Sequence, residues 1–384
     1  MKKIIIMLLV FSFLIPISVY AEDIDANMTK GAKSSILIEE STGKILYNKN
    51  ANEPRAVASL TKMMSLILVF DVIEKGGLTY DEILTTSDNA KNMGGTQLWL
   101  EVGEKMSVND LLKGVAMASA NDAMVVLSER IGGTEEGFVK MMNKKAKEMG
   151  LKNTNFVNST GLDEKGHISS AYDMAMIAKE LLKYPDVLKY TGMYESYIRE
   201  NTSNKTWISN TNKLVRFYEG ADGLKTGFTD DAGSCLAVTA IKDDLRLIAI
   251  TLGYSDVNVR NSETMSLLDY GFNQYKATLI YRKGDIIGKT KLEKANEDEV
   301  NLIISEDVKV ISKKTEKEEK YNYDLKINEI KYPIKKGDKL GILLVKSNST
   351  VIRKIPVVAE KDINKTGIVK LYFSIFKDIL LGIK

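Results

Sequence analysis

Histidine is almost missing from this chain, with His167 the only one in 384 residues. Zinc sites built on two or three histidines are therefore excluded. A Ser-His-Asp triad would have to use His167, and no G-x-S-x-G turn exists to present its serine. A hydrolase of this composition turns to lysine for its base. Cysteine is as scarce: Cys235 stands alone, so neither an internal disulfide nor a thiolate cluster can form. Its apolar neighbours, Leu236-Ala237-Val238, mark it as a small buried hydrophobe. An excess of one charge is lacking too. The formal net charge is +3, Lys2 and Lys3 account for two of these, and no nucleic-acid footprint exists. Beyond the N-terminus no segment approaches about 20 apolar residues, so the chain is not polytopic. No metal and no cofactor are expected.

The N-terminus itself is informative. Met1-Lys2-Lys3 precedes an apolar run from Ile4 to Val19 and then Val19-Tyr20-Ala21. This is a secretory signal, with cleavage expected after Ala21. Residues 33–48 alternate like a hairpin around Ser41-Thr42-Gly43-Lys44. Residues 59–75 read as a buried helix stopped by Gly76-Gly77, and further helices are expected near 108–117, 123–131, 135–149 and 171–184. Ser234–Ile241 and Arg246–Gly253 form a strand pair across Lys242-Asp243-Asp244, and a last helix spans 257–274. From about Ala277 short β-like runs sit between Gly and charged turns, as in a small all-β module. Lys313–Lys320 reads as a solvated loop. Residues 370–384 form a basic amphipathic helix too short to span a bilayer, suited to lie in a membrane surface.

Three short motifs follow in order: Ser59-Leu60-Thr61-Lys62, Ser119-Ala120-Asn121 and Lys225-Thr226-Gly227. Each has decoys. S-x-x-K recurs at Ser41–Lys44 and Ser374–Lys377, S-x-N at Ser87–Asn89 and Ser107–Asn109, and K-T-G at Lys365–Gly367. Context separates them. Ser41 falls in a turn and Ser374 in the tail, whereas Ser59 opens a buried helix, where positions i and i+3 share a face. The helix N-terminus adds a positive field where an oxyanion would form. Ser119–Asn121 sits between two helices, and Lys225–Gly227 leads into the strand pair.

With Asn158-Ser159-Thr160-Gly161-Leu162, Ala171-Tyr172-Asp173-Met174-Ala175, Asn210-Thr211-Asn212 and Asp222-Gly223-Leu224, the set resembles the serine-type D-alanyl-D-alanine carboxypeptidases, the low-molecular-weight penicillin-binding proteins. The resemblance implies an α/β (α+β) β-lactamase/transpeptidase-like domain, an antiparallel sheet flanked by helices, over 22–275. A small β-sandwich would occupy 276–366 and an anchoring helix 367–384, after a signal over 1–21. It implies Ser59 as nucleophile, Lys62 as its neutral base, Ser119 as a proton relay and Asn121 as the group orienting Lys62 and the substrate amide. Lys225 and Thr226 would hold the terminal carboxylate, and the N–H groups of Ser59 and Phe228 the oxyanion, with Gly227 between them. His167 would assist at the substrate site, positioning the hydrolytic water, or serve the loop's structure alone. Phe228 stands where some members carry histidine, and Thr211 where some carry a basic residue. The implied partners are a peptidoglycan stem ending in D-Ala-D-Ala, β-lactam antibiotics and, through 370–384, the outer face of the cytoplasmic membrane. A β-lactamase is the first rival, but no E-x-x-L-N stretch lies between Asn121 and Lys225. A D,D-endopeptidase and a catalytically silent wall-binding protein are the others.

Overall fold

The computed structural model describes residues 28–366, apart from 293–294, 317–319 and 348. The signal segment and the tail helix expected from sequence, with its Ser374–Lys377 pair, lie outside the described residues.

The chain first makes the predicted hairpin, β1 (Ser34–Glu39) and β2 (Ile45–Lys49). Three further strands, β3 (Ala221–Thr229), β4 (Gly233–Lys242) and β5 (Leu245–Tyr254), arrive some 170 residues later and complete an antiparallel sheet in the order β2-β1-β5-β4-β3. Successive side chains in a strand point to opposite faces, and here both faces are covered. Ile36, Ile38, Cys235 and Ile248 belong to the core on the helical side. Leu37, Leu236, Val238 and Leu247 pack with Leu267, Leu268 and Phe272 of the C-terminal helix, Val257–Gln274. This is why the strands read as near-continuous apolar runs. Cys235 is fully buried, and burial pushes its thiol up to about 11.

The helical side is built around α1 (Lys62–Glu74), buried over every residue from Lys62 to Phe70. Its entry departs from the expected helix start at Ser59. Ala58–Thr61 form one 3-10 turn, and α1 proper begins at Lys62. A 3-10 turn eclipses i and i+3, so Ser59 and Lys62 still share a side. The next predicted helix is Val108–Lys113, continued by a π turn over Gly114–Ala118 that ends on Ser119 at φ +67. The helix Asn121–Gly132 follows, and Glu135–Glu148 and Ala171–Leu181 complete the layer.

The C-terminal part is all β, as predicted. Tyr275–Tyr281 pairs with Val308–Lys313, and a five-stranded sheet carries its own core of Val300, Leu302, Ile304, Val345, Ile355 and Val357. Two of its strands, Ile286–Lys291 and Tyr321–Ile327, escape sequence reasoning. They are edge strands with hardly a buried side chain, so they lack the apolar alternation that identifies a strand. Lys313 ends a strand rather than opening the expected loop.

Candidate active site

The close approach of the 3-10 turn and β3 creates the site. A Cβ on Gly227 would lie 3.0 Å from both Ser59 N and Ala58 Cβ, so only glycine lets the strand pass so near the serine. On the other side, Gly161 has φ +88, and a Cβ there would sit 2.0 Å from Ala58 O. Ser59 is thus held between β3 and the 158–162 loop.

Lys62 is fully buried, and its Nζ has three oxygen neighbours. Thr160 O lies at 2.7 Å, Asn121 Oδ1 at 2.6 Å and Ser59 Oγ at 2.9 Å. Burial holds Lys62 well below the lysine range, and the Lys225 cation lowers it further. A neutral amine has two protons and one lone pair. Thr160 O can only accept, and Asn121 presents its oxygen because its Nδ2 donates to Gly94 O at 2.7 Å. In that form those two acceptors take both protons and leave the lone pair to face the Ser59 hydroxyl.

Ser119 is 6 % exposed, in the turn before Asn121, and among the described residues nothing takes its hydroxyl. Lys225 is buried in β3, and its Nζ donates to Thr226 O at 3.0 Å. Burial, with the Arg260 guanidinium nearby, lowers it to about 7. Thr226 Oγ1 donates to Thr211 Oγ1 at 2.7 Å, so the threonine at 211 is used in place of a cation. The start of β3 is fixed by a fork, Arg246 donating twice to Asp222 at 2.8 Å. Phe228 pairs with Ser234, and its ring is largely exposed at the rim. A cavity of about 580 Å³ opens beyond it, lined by Ala58, Leu162, Asp163, Glu164 and Asp231 among others.

His167 borders that cavity but is buried, with both ring nitrogens occupied by protein. Its Nδ1 accepts from Val157 N at 3.2 Å, so its Nε2–H donates to Thr61 Oγ1 at 2.7 Å. Burial lowers it to about 4, and it stays neutral. This favours the structural role over substrate contact: His167 braces Thr61, the residue before Lys62.

Sequence reasoning missed the parts that act through backbone. Thr160 contributes a carbonyl, and Asn158 shapes the loop by accepting Gly161 N at 2.7 Å. Asp122 takes the N–H groups of Leu98 and Leu100, fixing the 93–100 loop whose Thr96 O accepts Asn121 N. The N-S-T-G-L stretch was a visible signal, but its roles are not those of side-chain chemistry.

Residues 21–256 match the family described as D-alanyl-D-alanine carboxypeptidase, Peptidase S11, and residues 275–365 match the C-terminal domain of penicillin-binding protein 5. D-alanyl-D-alanine carboxypeptidase DacF of Bacillus subtilis (strain 168) is 47% identical over 339 residues, covering 88% of this chain and 87% of that protein. The crystal structure of penicillin binding protein 5 from Haemophilus influenzae aligns at a TM-score of 0.69 and 29% identity, over 87% of this chain and 98% of that one. Penicillin-binding protein D2 from Listeria monocytogenes, in its ampicillin-bound form, aligns at 0.57 and 32% identity, over 63% and 98%. By its sequence over most of its length and by its fold, this chain belongs to the D-alanyl-D-alanine carboxypeptidase family.

Proposed function

We propose that this carboxypeptidase removes the terminal D-alanine of peptidoglycan pentapeptide stems through an acyl-enzyme on Ser59. Lys62 Nζ takes the hydroxyl proton as Ser59 Oγ attacks the penultimate carbonyl carbon. The Ser59 and Phe228 N–H groups receive the oxyanion, each donor worth roughly 3–4 kcal/mol. As the C–N bond breaks, the Lys62 proton passes through the Ser119 hydroxyl to the departing amine. Water then attacks the ester with Lys62 again as base, and as the bond from the acyl carbon to Ser59 Oγ breaks Lys62 returns that proton to Oγ. Lys225 and Thr226 hold the terminal carboxylate, and the extended stem pairs along the edge of β3. A β-lactam acylates the same serine but keeps its leaving group tethered.

The observation that carries this reading is a fully buried Lys62 whose Nζ lies 2.9 Å from Ser59 Oγ, with Asn121 Oδ1 and Thr160 O as acceptors for its protons. We further propose that 22–275 is the catalytic unit and 276–366 a β-sandwich, and that 367–384 attaches the exported enzyme to the outer face of the cytoplasmic membrane. Among the described residues no helix is long and apolar enough to cross a membrane.

The test pairs a D-Ala-D-Ala pentapeptide with labelled penicillin. Free D-alanine and a slowly hydrolysed adduct are expected, and Ser59→Ala should lose both with its fold intact. An adduct that survives Ser59→Ala places the nucleophile elsewhere.

A further inference from the structure

Trp99 is the most exposed large apolar side chain described, at 75 %, and its backbone sits at φ +58, a region that bulky residues avoid. The surroundings enforce this. Leu98 and Leu100, on either side, are buried at 7 % and 1 %. Their N–H groups both reach the carboxylate of Asp122, at 3.0 and 3.1 Å. Asp122 follows Asn121 directly, and Thr96 O accepts Asn121 N at 2.7 Å. The chain is therefore pinned on both sides of one residue, whose indole is exposed three residues after the Thr96 carbonyl that holds Asn121 N. Strain of this kind is kept where function repays it.

The aromatic surface continues from there. Arg199 donates to Leu98 O at 3.3 Å and pairs with Glu104, tying the Trp99 loop to the hairpin Glu195–Ile198 and Thr206–Ser209. On that hairpin Tyr197 and Trp207 stand opposite one another, 44 % and 54 % exposed. The hairpin leads to Thr211, the partner of Thr226 in the cleft. The charges beside Trp99 are neutralised in pairs, Lys91 with Glu101 and Arg199 with Glu104. With Lys91 and Arg199 paired, the open face at Trp99 fits an uncharged polyol better than an anionic bilayer, which selects basic faces, while Lys205 Nζ lies over the Tyr197 ring at 4.2 Å.

We propose that Trp99 is a substrate-recognition residue that stacks on an amino-sugar ring of the glycan strand bearing the stem, with Trp207 extending the contact. The inference rests on the proposed function, since only a glycan-linked stem brings sugar to this rim. An indole offers its face to the C–H side of a pyranose and its N–H to a ring substituent.

The test compares D-alanine release from free pentapeptide and from uncross-linked glycan strands carrying the same pentapeptide. Trp99→Asn is chosen because asparagine tolerates positive φ. The ratio of kcat/KM, glycan-linked over free, should fall about fivefold to tenfold, mostly through KM, and Trp99→Tyr should restore most of it. A ratio unmoved in Trp99→Asn, or both substrates falling together, overturns the proposal. So does a loss of binding to phosphatidylglycerol vesicles with the ratio unchanged, which would give this surface to the membrane. A wild-type protein that releases D-alanine from neither substrate overturns the proposed function itself, and the inference with it.

Discussion

Two stretches of this protein share one pattern and do opposite things. Ser41-Thr42-Gly43-Lys44 closes the β1–β2 hairpin, and Ser59-Leu60-Thr61-Lys62 leads into α1. In the first, the serine works through its backbone: Ser41 N donates to Glu39 Oε1, and Ser41 O accepts from Lys179 at 2.8 Å. Lys44 is exposed and reaches away from Ser41, donating to Ile311 O of the C-terminal part at 3.0 Å and lying over the Tyr275 ring. In the second, the lysine is buried and turned back on its own serine. The difference is burial and backbone. A turn with glycine at φ +72 splays the two side chains, whereas a 3-10 turn feeding a buried helix eclipses them. Burial strips Lys62 of its water and so lowers its pKa well below the ordinary lysine range.

The largest effect should come from erasing that distinction. Lys62→Met keeps the volume but removes the lone pair, and it leaves Thr160 O and Asn121 Oδ1 without their donor. Penicillin acylation and D-alanine release should both slow at least about a thousandfold, with circular dichroism unchanged. A rate within tenfold of wild type would show that another group takes the Ser59 proton.

Much of this contrast is legible in the sequence. Hairpin alternation places Ser41 in a turn, and the nearly continuous apolar run from Met63 to Val72 places Lys62 in a core. The ordered triplet of motifs then selects Ser59, Ser119, Asn121 and Lys225. What escapes has a common cause. The carbonyl of Thr160, the φ of Ser119 and the pinning of Leu98 and Leu100 by Asp122 are backbone events, set by chain geometry that no side-chain pattern encodes. His167 is left open for another reason. A histidine in a loop beside an active site reads equally as chemistry or as structure, and its full occupancy by Thr61 and the Val157 N–H emerges only from packing.

The threonines sharpen the comparison at intermediate scale. Thr42 finds its partner locally, donating to Glu39 Oε2 at 2.5 Å, while Thr61 depends on His167 across 106 residues. In the unfolded chain His167 takes up a proton near its ordinary 6.5, but in the fold it resists until about 4. The unfolded state therefore binds more protons between these values, and stability falls as the pH drops through that window. The loss approaches about 3 kcal/mol at full protonation, from 1.36 kcal/mol per pK unit. His167→Gln keeps a donor for Thr61 and cannot titrate. Urea unfolding between pH 7 and 4 should show a shallower decline for this variant than for wild type. Parallel declines would mean that carboxylates alone set the acid sensitivity.

The smallest effect should come from the decoy. Lys44→Met removes one charged donor to Ile311 O and a distant contact with Tyr275, both on a solvent-facing side chain. A hydrogen bond of this kind contributes about 1 kcal/mol net. The hairpin keeps its turn, since the bonds from Ser41 N and Thr42 to Glu39 do not involve Lys44. Melting temperature should shift by a few degrees at most, and acylation by penicillin should keep its wild-type rate. A slowed acylation would couple the hairpin turn to Ser59 through β1, and the two S-x-x-K stretches would no longer be independent.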